Sequence, residues 1–235
     1  GIKKMSELLF YKEPVALNRE QHKSFKYQPI SNYEFTRHVN SVPATAIEFF
    51  EASRELPVLF SKDEEGNFFP LLLLSLTNDG HGQIDEDGKW TSNYIPAFIR
   101  RYPFALNGDG TVCFDQSSEC ISADGEKELF DDEGENTDTL KNIVTFLNQF
   151  DVEHKRTVEF CAALKEQDLF KPFNLQVMAK EGEAPLRLEG LYAIDDKKFD
   201  ALEDDVVSQW FHKAYIAWVY AHLHSLSAIQ KLAKK

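Results

Sequence analysis

The chain has 235 residues, and its 39 acidic side chains outnumber 26 basic ones, so the net charge is −13. This length fits one large domain or two small ones, and a hydrophobic content of 43% supports a packed core and excludes disordered and collagen-like chains. The negative charge opposes binding to nucleic-acid phosphates and anionic lipid headgroups. Three cysteines without a CxxC pair exclude a dense disulfide framework and favour a reducing compartment.

The N-terminal residues do not have the pattern of a signal peptide. The apolar stretch from Leu8 to Phe10 has three residues, whereas a signal-peptide core needs about 7–15. The strongest apolar run, Phe68 to Leu76, has nine residues, whereas a bilayer-spanning helix needs about 20. We therefore expect a cytoplasmic protein without a membrane segment, in which residues 1–13 form a tail, residues 1–4 are a cloning remnant, and residues 14–235 form one domain.

A helix is predicted over Ala44 to Leu56. Thr45 and Glu48 have the spacing of a capping box, in which each side chain accepts a hydrogen bond from the backbone of the other residue. Pro57 ends the helix, because proline cannot continue the backbone hydrogen-bond pattern. The apolar residues predicted to face the core are Ile47, Phe50 and Leu56.

Two apolar runs, Val58 to Phe60 and Phe68 to Leu76, flank the polar sequence Asp63 to Asn67. This order predicts a strand, a turn and a second strand. The second run is apolar without interruption, which is typical of a strand covered on both faces. We therefore expect a β-hairpin at the centre of the domain.

The middle of the chain alternates loops with short elements. Gly80 to Gly88 is predicted to be a loop that ends in a tight turn. A helix of about two turns is predicted to start with Ser92 or Asn93 as its cap, with Pro96 in its first turn and Pro103 as its limit. Strands are predicted over Thr111 to Cys113 and Ser118 to Ser122.

The following segment is the most acidic of the chain, since ten residues between Asp115 and Asp138 are acidic and one, Lys127, is basic. Beyond it, apolar periodicity predicts helices, and two short apolar runs predict strands. The predicted elements are helices from Thr137 and over Thr157 to Leu169, separated by a charged joint at Asp151 to Arg156; strands over Phe173 to Met178 and Leu186 to Tyr192, around a turn at Glu181-Gly182; and Val206 to Leu232 as one long helix or a broken pair.

The order of these elements predicts the fold class. Strands come in hairpin-like pairs and helices are grouped between them, without strict alternation of strand and helix. A mainly antiparallel sheet is therefore favoured over a doubly wound parallel sheet. We predict an α+β fold in which helices pack on this sheet within a single domain.

The common catalytic and nucleotide-binding motifs are absent from the sequence. It contains no GxxxxGK[ST], GxGxxG, GxSxG or HExxH pattern, each of which places specific groups around a phosphate, nucleophile or metal. Gly108-Asp109-Gly110 is interpreted as a hairpin turn. We therefore predict no catalytic residue, no resident metal and no cofactor, and a non-enzymatic protein is favoured over an enzyme.

Three weaker chemical hypotheses compete with structural interpretations. His81 and Asp85 share a loop and have ligand types that suit Ca²⁺, Mg²⁺ or Fe²⁺, although a polar surface loop is favoured. His222 and His224 point about 200° apart on a helix, so they do not bind one metal together. The cysteines are interpreted as structural, because none lies in the positive surroundings that lower the pKa of a thiol.

The sharpest positive feature is the pair Arg100-Arg101. Neighbouring helix positions differ by about 100°, so one guanidinium turns inward while the other meets solvent or a carboxylate. The favoured interpretation is an internal ion pair that joins the short helix to the acidic segment; the alternative is a binding site for a ligand carboxylate, because arginine recognises carboxylates and stacks on aromatic rings. The aromatic residues around the pair are Trp90, Tyr94, Phe98, Tyr102 and Phe104.

Blocks of sequence from Ala16 to Leu232 resemble the SapC-like family of bacterial proteins. The most specific block is GKWTSNYIPAFIRRYPFAL; the others are ALNREQHKSFKYQP, VPATAIEFFEASRELPVLF, FFPLLLLSL, VCFDQSS, LEGLYAIDDKKFDAL and YAHLHSL. The positions that match the family pattern are His22, Glu48, Trp90, Tyr94, Pro96, Arg100, Arg101, Tyr102, Pro103 and His222. Two positions depart from it: Gly80-His81-Gly82, which weakens the metal hypothesis, and His224, where the family tends to be apolar.

The resemblance implies a bacterial protein linked to surface-layer secretion, whose relatives are encoded near TonB-dependent receptors, halogenase-like proteins and cupin-like proteins. It implies no catalytic residues. An unrelated peptide-transport permease with the same name is excluded, because this chain lacks a membrane span.

Three functional hypotheses follow from the residues and the resemblance together. The first is a non-enzymatic accessory or binding protein with a protein partner in a surface-layer secretion or TonB-dependent uptake system. The second is a binding protein or enzyme for small molecules or peptides whose arginine-aromatic pocket holds a carboxylate. The third, a metal-dependent oxygenase, is based on gene-neighbour analogy alone. The residues predicted to bind a ligand or partner are Trp90, Tyr94, Arg100, Arg101, Tyr102, His22 and His222.

Overall fold

The structure is a computed structural model that describes residues 9–77, 79–177 and 186–233, with the backbone alone at 175–177 and 186–187. The strands are β1 (Pro14–Ala16), β2 (Lys26–Tyr27), β3 (Ser41–Pro43), β4 (Val58–Lys62), β5 (Phe68–Leu73), β6 (Phe104–Leu106), β7 (Val112–Asp115), β8 (Ile121–Ser122), β9 (Lys127–Glu128), β10 (Phe170–Pro172), β11 (Leu175–Val177), β12 (Leu186–Leu188) and β13 (Tyr192–Ile194). The α-helices are α1 (Phe49–Ala52), α2 (Ala97–Arg100), α3 (Asp138–Glu166), α4 (Asp196–Asp200), α5 (Asp204–His212), α6 (Tyr215–Ser225) and α7 (Ile229–Leu232), and 3₁₀ turns cover Glu34–Thr36, Ala46–Glu48 and Leu226–Ala228.

A five-stranded antiparallel sheet forms the centre of the molecule, in the order β10-β13-β4-β5-β3. Its inner pair is the predicted hairpin, in which β4 pairs with β5 from Val58 opposite Leu72 to Lys62 opposite Phe68. In β5, Leu71, Leu72 and Leu73 are 7%, 0% and 2% exposed, so this part of the strand is covered on both faces, as its continuous apolar sequence predicts.

Three smaller sheets complete the strand pairing: β1-β7-β6, β8-β2-β9 and β11-β12. Every named pair is antiparallel, which confirms the α+β prediction. The strand predicted over residues 118–122 is limited to β8, because Ser118 N–H donates to the Asp115 carbonyl (3.1 Å) and closes a turn. The predicted turn at Glu181-Gly182 lies outside the described residues.

The capping box at the start of the predicted 44–56 helix is confirmed; of its predicted buried stripe, Leu56 is buried as predicted, but the other two residues are not. Ile47 and Phe50 are 48% and 51% exposed. The segment begins as a 3₁₀ turn, in which residues three apart lie on the same side. The buried side is therefore formed by Ala46, Phe49 and Ala52, each with no exposed surface.

Helix α3 runs without a break through the predicted joint at residues 151–156, so that prediction is wrong. Charged side chains three or four residues apart on a helix attract one another and stabilise it. Lys155 pairs with Asp151 (2.7 Å) and Arg156 pairs with Glu153 (2.8 Å). The charges that suggested a joint are therefore paired along one continuous helix.

The C-terminal segment takes the broken form of the two predicted alternatives. Helices α5 and α6 are separated at Ala214, whose φ of 66° is left-handed and interrupts the right-handed helix. Within the part of the chain that the structure describes, every helix is too short or too polar to cross a membrane.

The main core lies between the central sheet and the helices α1, α3 and α6. Phe160 of α3 meets Phe49 of α1 at 6.2 Å and Trp218 of α6 at 5.3 Å between ring centroids. Phe10 and Tyr11, within the residues predicted to be a tail, are each only 7% exposed and belong to this core.

Candidate functional site

The segment from Trp90 to Phe104 contains most of the residues predicted to bind a ligand or partner. Its helix α2 is shorter than predicted, and Pro96 rather than Ser92 or Asn93 is the N-cap. Asn93 instead donates from its backbone and side chain to the Glu55 carboxylate, at 3.0 and 2.9 Å. The segment is therefore joined to the end of the preceding helical region.

Glu48 is a buried carboxylate that joins this segment to the capping box. It is 5% exposed. Its Oε1 accepts from the Tyr94 hydroxyl (2.5 Å) and the Ala97 N–H (2.7 Å), and its Oε2 accepts from the N–H and hydroxyl of Thr45, at 2.8 and 2.9 Å. Burial, followed by the negative charge of Glu48, raises the pKa of Tyr94. Tyr94 therefore stays protonated and donates to the carboxylate.

Asp115 is a second buried carboxylate. It follows α2 in the sequence, whereas Glu48 precedes it. It has no exposed surface. Its oxygens accept from the N–H groups of Lys12 (3.0 Å) and Glu13 (3.1 Å), from the Tyr102 hydroxyl (3.1 Å), and from both the N–H (3.1 Å) and hydroxyl (2.8 Å) of Ser117. Burial alone would raise the pKa of Asp115, but these hydrogen bonds outweigh it and hold the pKa below its usual value. Tyr102 thereby connects the arginine segment to the first residue of the acidic stretch.

We expect Tyr102→Phe to lower the free energy of unfolding by about 1–2 kcal/mol, because it removes a buried hydrogen bond to a charged acceptor. Urea unfolding monitored by circular dichroism measures the change. Tyr220→Phe is the matched control, since Tyr220 is 58% exposed and its change should stay within about 0.5 kcal/mol. Equal effects of the two substitutions would contradict a structural role for the Tyr102 hydroxyl.

Arg101 turns inward and Arg100 turns to the surface, as the angle between neighbouring helix positions predicts. Arg101 is 8% exposed. Its guanidinium carbon lies 4.3 Å from the ring centroid of Phe98, 4.9 Å from that of Phe150 and 6.0 Å from that of Tyr11, distances at which a cation is attracted to an aromatic face. Burial raises the pKa of Tyr11 to about 12, and the Arg101 charge opposes that rise.

Arg100 is exposed and lies over an aromatic side chain of the long helix. Its Nε–H donates to the Ile95 carbonyl (2.9 Å), and its guanidinium carbon lies 5.4 Å from the ring centroid of Phe146. Burial raises the pKa of Tyr33, and the positive charge of Arg100 partly opposes that rise. A surface cation is thus held in a defined position among aromatic rings.

Trp90 holds the loop that leads into α2. Its indole N–H donates to the Ser92 hydroxyl (2.7 Å) and the Tyr94 carbonyl (2.9 Å). Its ring centroid lies 5.8 Å from that of Tyr33 and 5.6 Å from that of His81. Trp90, Tyr94 and Arg100 therefore belong to one half-buried surface region.

The two histidines predicted to titrate in a pocket lie in separate cores. His222 has no exposed surface; its Nδ1–H donates to the Val58 carbonyl (2.7 Å) and its Nε2 accepts from the Ile194 N–H (3.1 Å). Burial lowers its pKa to about 4. His22 accepts at Nδ1 from the Asn18 N–H (2.9 Å), and its ring packs against Phe114 at 5.0 Å. Neither histidine ring is among the contacts of Arg100 and Arg101 given above.

The residues of the metal hypothesis form local hydrogen bonds. The Nε2 atom of His81 lies 3.0 Å from the Thr36 hydroxyl oxygen, and the Nδ1 atom of His81 accepts a hydrogen bond from the Gln83 N–H (3.1 Å). Asp85 accepts from the N–H groups of Asp87 and Lys89, at 3.0 and 2.9 Å, and so forms the predicted turn. Within residues 9–77, 79–177 and 186–233, no group of three or more His, Cys, Asp or Glu side chains is arranged to hold a metal ion.

The three cysteines differ in burial but share the direction of their pKa shift. Cys161 is 2% exposed, whereas Cys113 and Cys120 are half-buried. Burial raises the pKa of all three thiols, and the negative charge of Glu119 adds to that effect at Cys120. Each cysteine is therefore held as the thiol at neutral pH.

Two cavities formed by described residues lie away from the arginine segment. One, of about 260 Å³, lies between the tip of the central hairpin and helix α3. The other, of about 390 Å³, is bordered by the loop around His81 and by Leu232 near the C-terminus. Neither is lined by Trp90, Tyr94 or the arginine pair.

The central features that sequence reasoning missed are the buried acceptor roles of Glu48 and Asp115. The capping box identified Glu48 but not its bonds to Tyr94 and Ala97, which lie 46 and 49 residues further along the chain. A signal was present, since an acidic residue directly before two phenylalanines has apolar neighbours and needs buried donors.

Comparison with known proteins identifies the family of the chain but no individual similar protein. Searches of curated proteins and of solved structures found no match. The family model for SapC matches residues 17–232, which is nearly the whole chain of 235 residues and includes both buried carboxylates and the arginine segment. The chain belongs to the SapC family.

Proposed function

We propose that this chain is a non-enzymatic binding protein that acts in the cytoplasm as an accessory of a surface-layer secretion or TonB-dependent outer-membrane uptake system. The observation that carries the proposal is the exposed guanidinium of Arg100, held among aromatic side chains in the most specific block of the family pattern. Arginine, tyrosine and tryptophan are the residue types enriched at protein interfaces. The connection to secretion or uptake is based on the family resemblance.

The seven predicted residues divide into two groups in this proposal. Trp90, Tyr94 and Arg100 form the contact surface, and an acidic group of the partner meets Arg100. Arg101, Tyr102, His22 and His222 hold the framework behind that surface. Fixing Arg100 through Ile95 and Phe146 lowers the conformational entropy that it loses when a partner binds.

Affinity capture from the native host tests the proposal, with tagged wild type compared with Arg100→Ala. We expect wild type to recover a component of a surface-layer or TonB-dependent system and Arg100→Ala to recover much less, because an interface arginine contributes about 2 kcal/mol or more when it is a hot spot. Quantitative mass spectrometry measures the recovered partner.

Arg54→Ala is the matched control for this experiment. The Arg54 side chain is 71% exposed and pairs with Glu51 at 3.4 Å on the surface, so its removal changes the same charge at a different place. Equal recovery of the partner by Arg100→Ala and by wild type would remove Arg100 from the interface. Recovery only of proteins unrelated to either system would overturn the proposed role.

A further inference from the structure

The cavity between the central hairpin and helix α3, here called the hairpin groove, arises from strands of unequal length. Strand β3 pairs with β5 only at Leu71 to Leu73, followed by one bond from the Ala44 N–H to the Pro70 carbonyl (3.1 Å). Phe68 and Phe69 of β5 extend beyond it. The groove occupies the space beside them, and its lining residues are Pro43, Ala44, Asp63, Glu64, Glu65, Asn67, Phe68, Phe69, Pro70, His154, Thr157, Val158 and Cys161.

The floor of the hairpin groove is apolar and its wall on α3 is accessible. Pro43, Pro70 and Cys161 are among the apolar residues that line the groove, and Pro70 and Cys161 are buried. Val158 is 51% exposed, although it lies beside Thr157, whose hydroxyl accepts from the buried Ala46 N–H (2.8 Å). A half-exposed valine at the edge of an apolar groove is surface that a partner can cover.

The rim of the hairpin groove is acidic. Asp63 is used within the turn, since it accepts from the Asn67 N–H (2.7 Å), a bond that lowers the pKa of its carboxyl. Glu64 and Glu65 are exposed. On the other side, Lys165 donates to the Gly66 carbonyl (2.8 Å) and fastens the hairpin tip to α3. Three carboxylates, those of Asp63, Glu64 and Glu65, thus line this end of the groove, against the ammonium groups of Lys165 and of Lys62, which lies 5.6 Å from the ring centroid of Phe68.

We propose that the hairpin groove binds an extended segment of another polypeptide in which a lysine or arginine lies beside an apolar residue. A long basic side chain has an apolar stem and a charged head, which match the floor and the acidic rim. The groove follows the edge of a strand, the geometry in which extended peptides are recognised. Its volume of about 260 Å³ suits one or two side chains better than a drug-sized ligand, whose pockets measure roughly 300–1,000 Å³.

Fluorescence anisotropy with the full chain tests the groove, using fluorescein-labelled VKVKV as the probe and VEVEV as its charge-reversed counterpart. We expect VKVKV to bind and VEVEV not to bind. Val158→Ser should weaken binding of VKVKV about tenfold, because it removes the apolar contact of a valine, and Glu64→Gln/Glu65→Gln should weaken it by a similar factor.

Each groove variant has a matched control. Val152→Ser makes the same change on the same helix at a residue that is 53% exposed, about 120° around the helix axis from Val158 and outside the lining of the groove. Glu126→Gln/Glu133→Gln removes two exposed charges of the acidic segment. Equal binding of both peptides, or equal weakening by groove and control variants, would overturn the proposal and indicate attraction to the overall negative charge. The site does not involve Arg100, so Arg100→Ala should bind VKVKV as wild type does.

Discussion

Replacing Glu48 with alanine is expected to lower the free energy of unfolding by about 3–5 kcal/mol, because the change leaves several buried donors without an acceptor. The four hydrogen bonds to its carboxylate come from three residues, Thr45, Tyr94 and Ala97. The loss affects the start of the capped turn and the start of helix α2 together. Urea unfolding of wild type and Glu48→Ala measures the difference.

Two variants define the origin of that loss. Glu51→Ala removes a carboxylate three residues away that is 60% exposed and pairs with Arg54; surface pairs of this kind contribute about 0–1 kcal/mol, so little change is expected. Glu48→Gln keeps the shape but presents an amide NH₂ to donors, and it should be destabilising by an intermediate amount. Similar stability of Glu48→Ala and Glu51→Ala would contradict the assignment of Glu48 as the acceptor that joins the two segments.

The chain around Glu48 contains both features that the sequence predicts correctly and one that it does not. The capping box and the β4–β5 hairpin depend on residues close together in the chain, and both were predicted correctly. The buried face at residues 46–52 was not, because a 3₁₀ start changes which residues share a side. Apolar periodicity indicates that a helix is present more reliably than it indicates where the first turn begins.

The candidate site depends largely on contacts between distant parts of the chain. Asp115 accepts hydrogen bonds from Lys12 and Glu13, 103 and 102 residues away, and no local pattern predicts such a pairing. The arginine pair shows the opposite case, since helical geometry predicts that one guanidinium turns inward. The predicted ion pair of this arginine stays a prediction: the contacts given above place its guanidinium against aromatic rings, and Tyr102 connects the arginine segment to Asp115.

His222 provides a prediction with a defined pH range. Its pKa in the folded protein is about 4, because burial disfavours the charged form of the ring, whereas an unfolded histidine has a pKa of about 6.5. Between these values the unfolded state binds a proton that the folded state does not. The contribution of His222 to stability is therefore complete above pH 6.5 and is lost as the pH falls toward 4.

The size of this loss follows from the difference between the two pKa values. One pKa unit corresponds to about 1.4 kcal/mol, so wild type should lose about 3 kcal/mol between pH 6.5 and pH 4 through this residue alone. Other groups, including Asp115 with its lowered pKa, add their own losses at the acidic end. The effect of His222 must therefore be separated by substitution.

The substitution His222→Gln separates the effect of His222 from that of the other groups. The glutamine amide can donate to the Val58 carbonyl and accept from the Ile194 N–H, but it does not titrate. The variant is expected to be less stable than wild type at pH 7 and to lose about 3 kcal/mol less on acidification to pH 4. His224→Gln is the matched control, since it makes the same substitution at an exposed histidine on the same helix two residues away. If His222→Gln and wild type have parallel profiles of unfolding free energy from pH 7 to pH 4, His222 is not a buried neutral histidine that joins α6 to the central sheet.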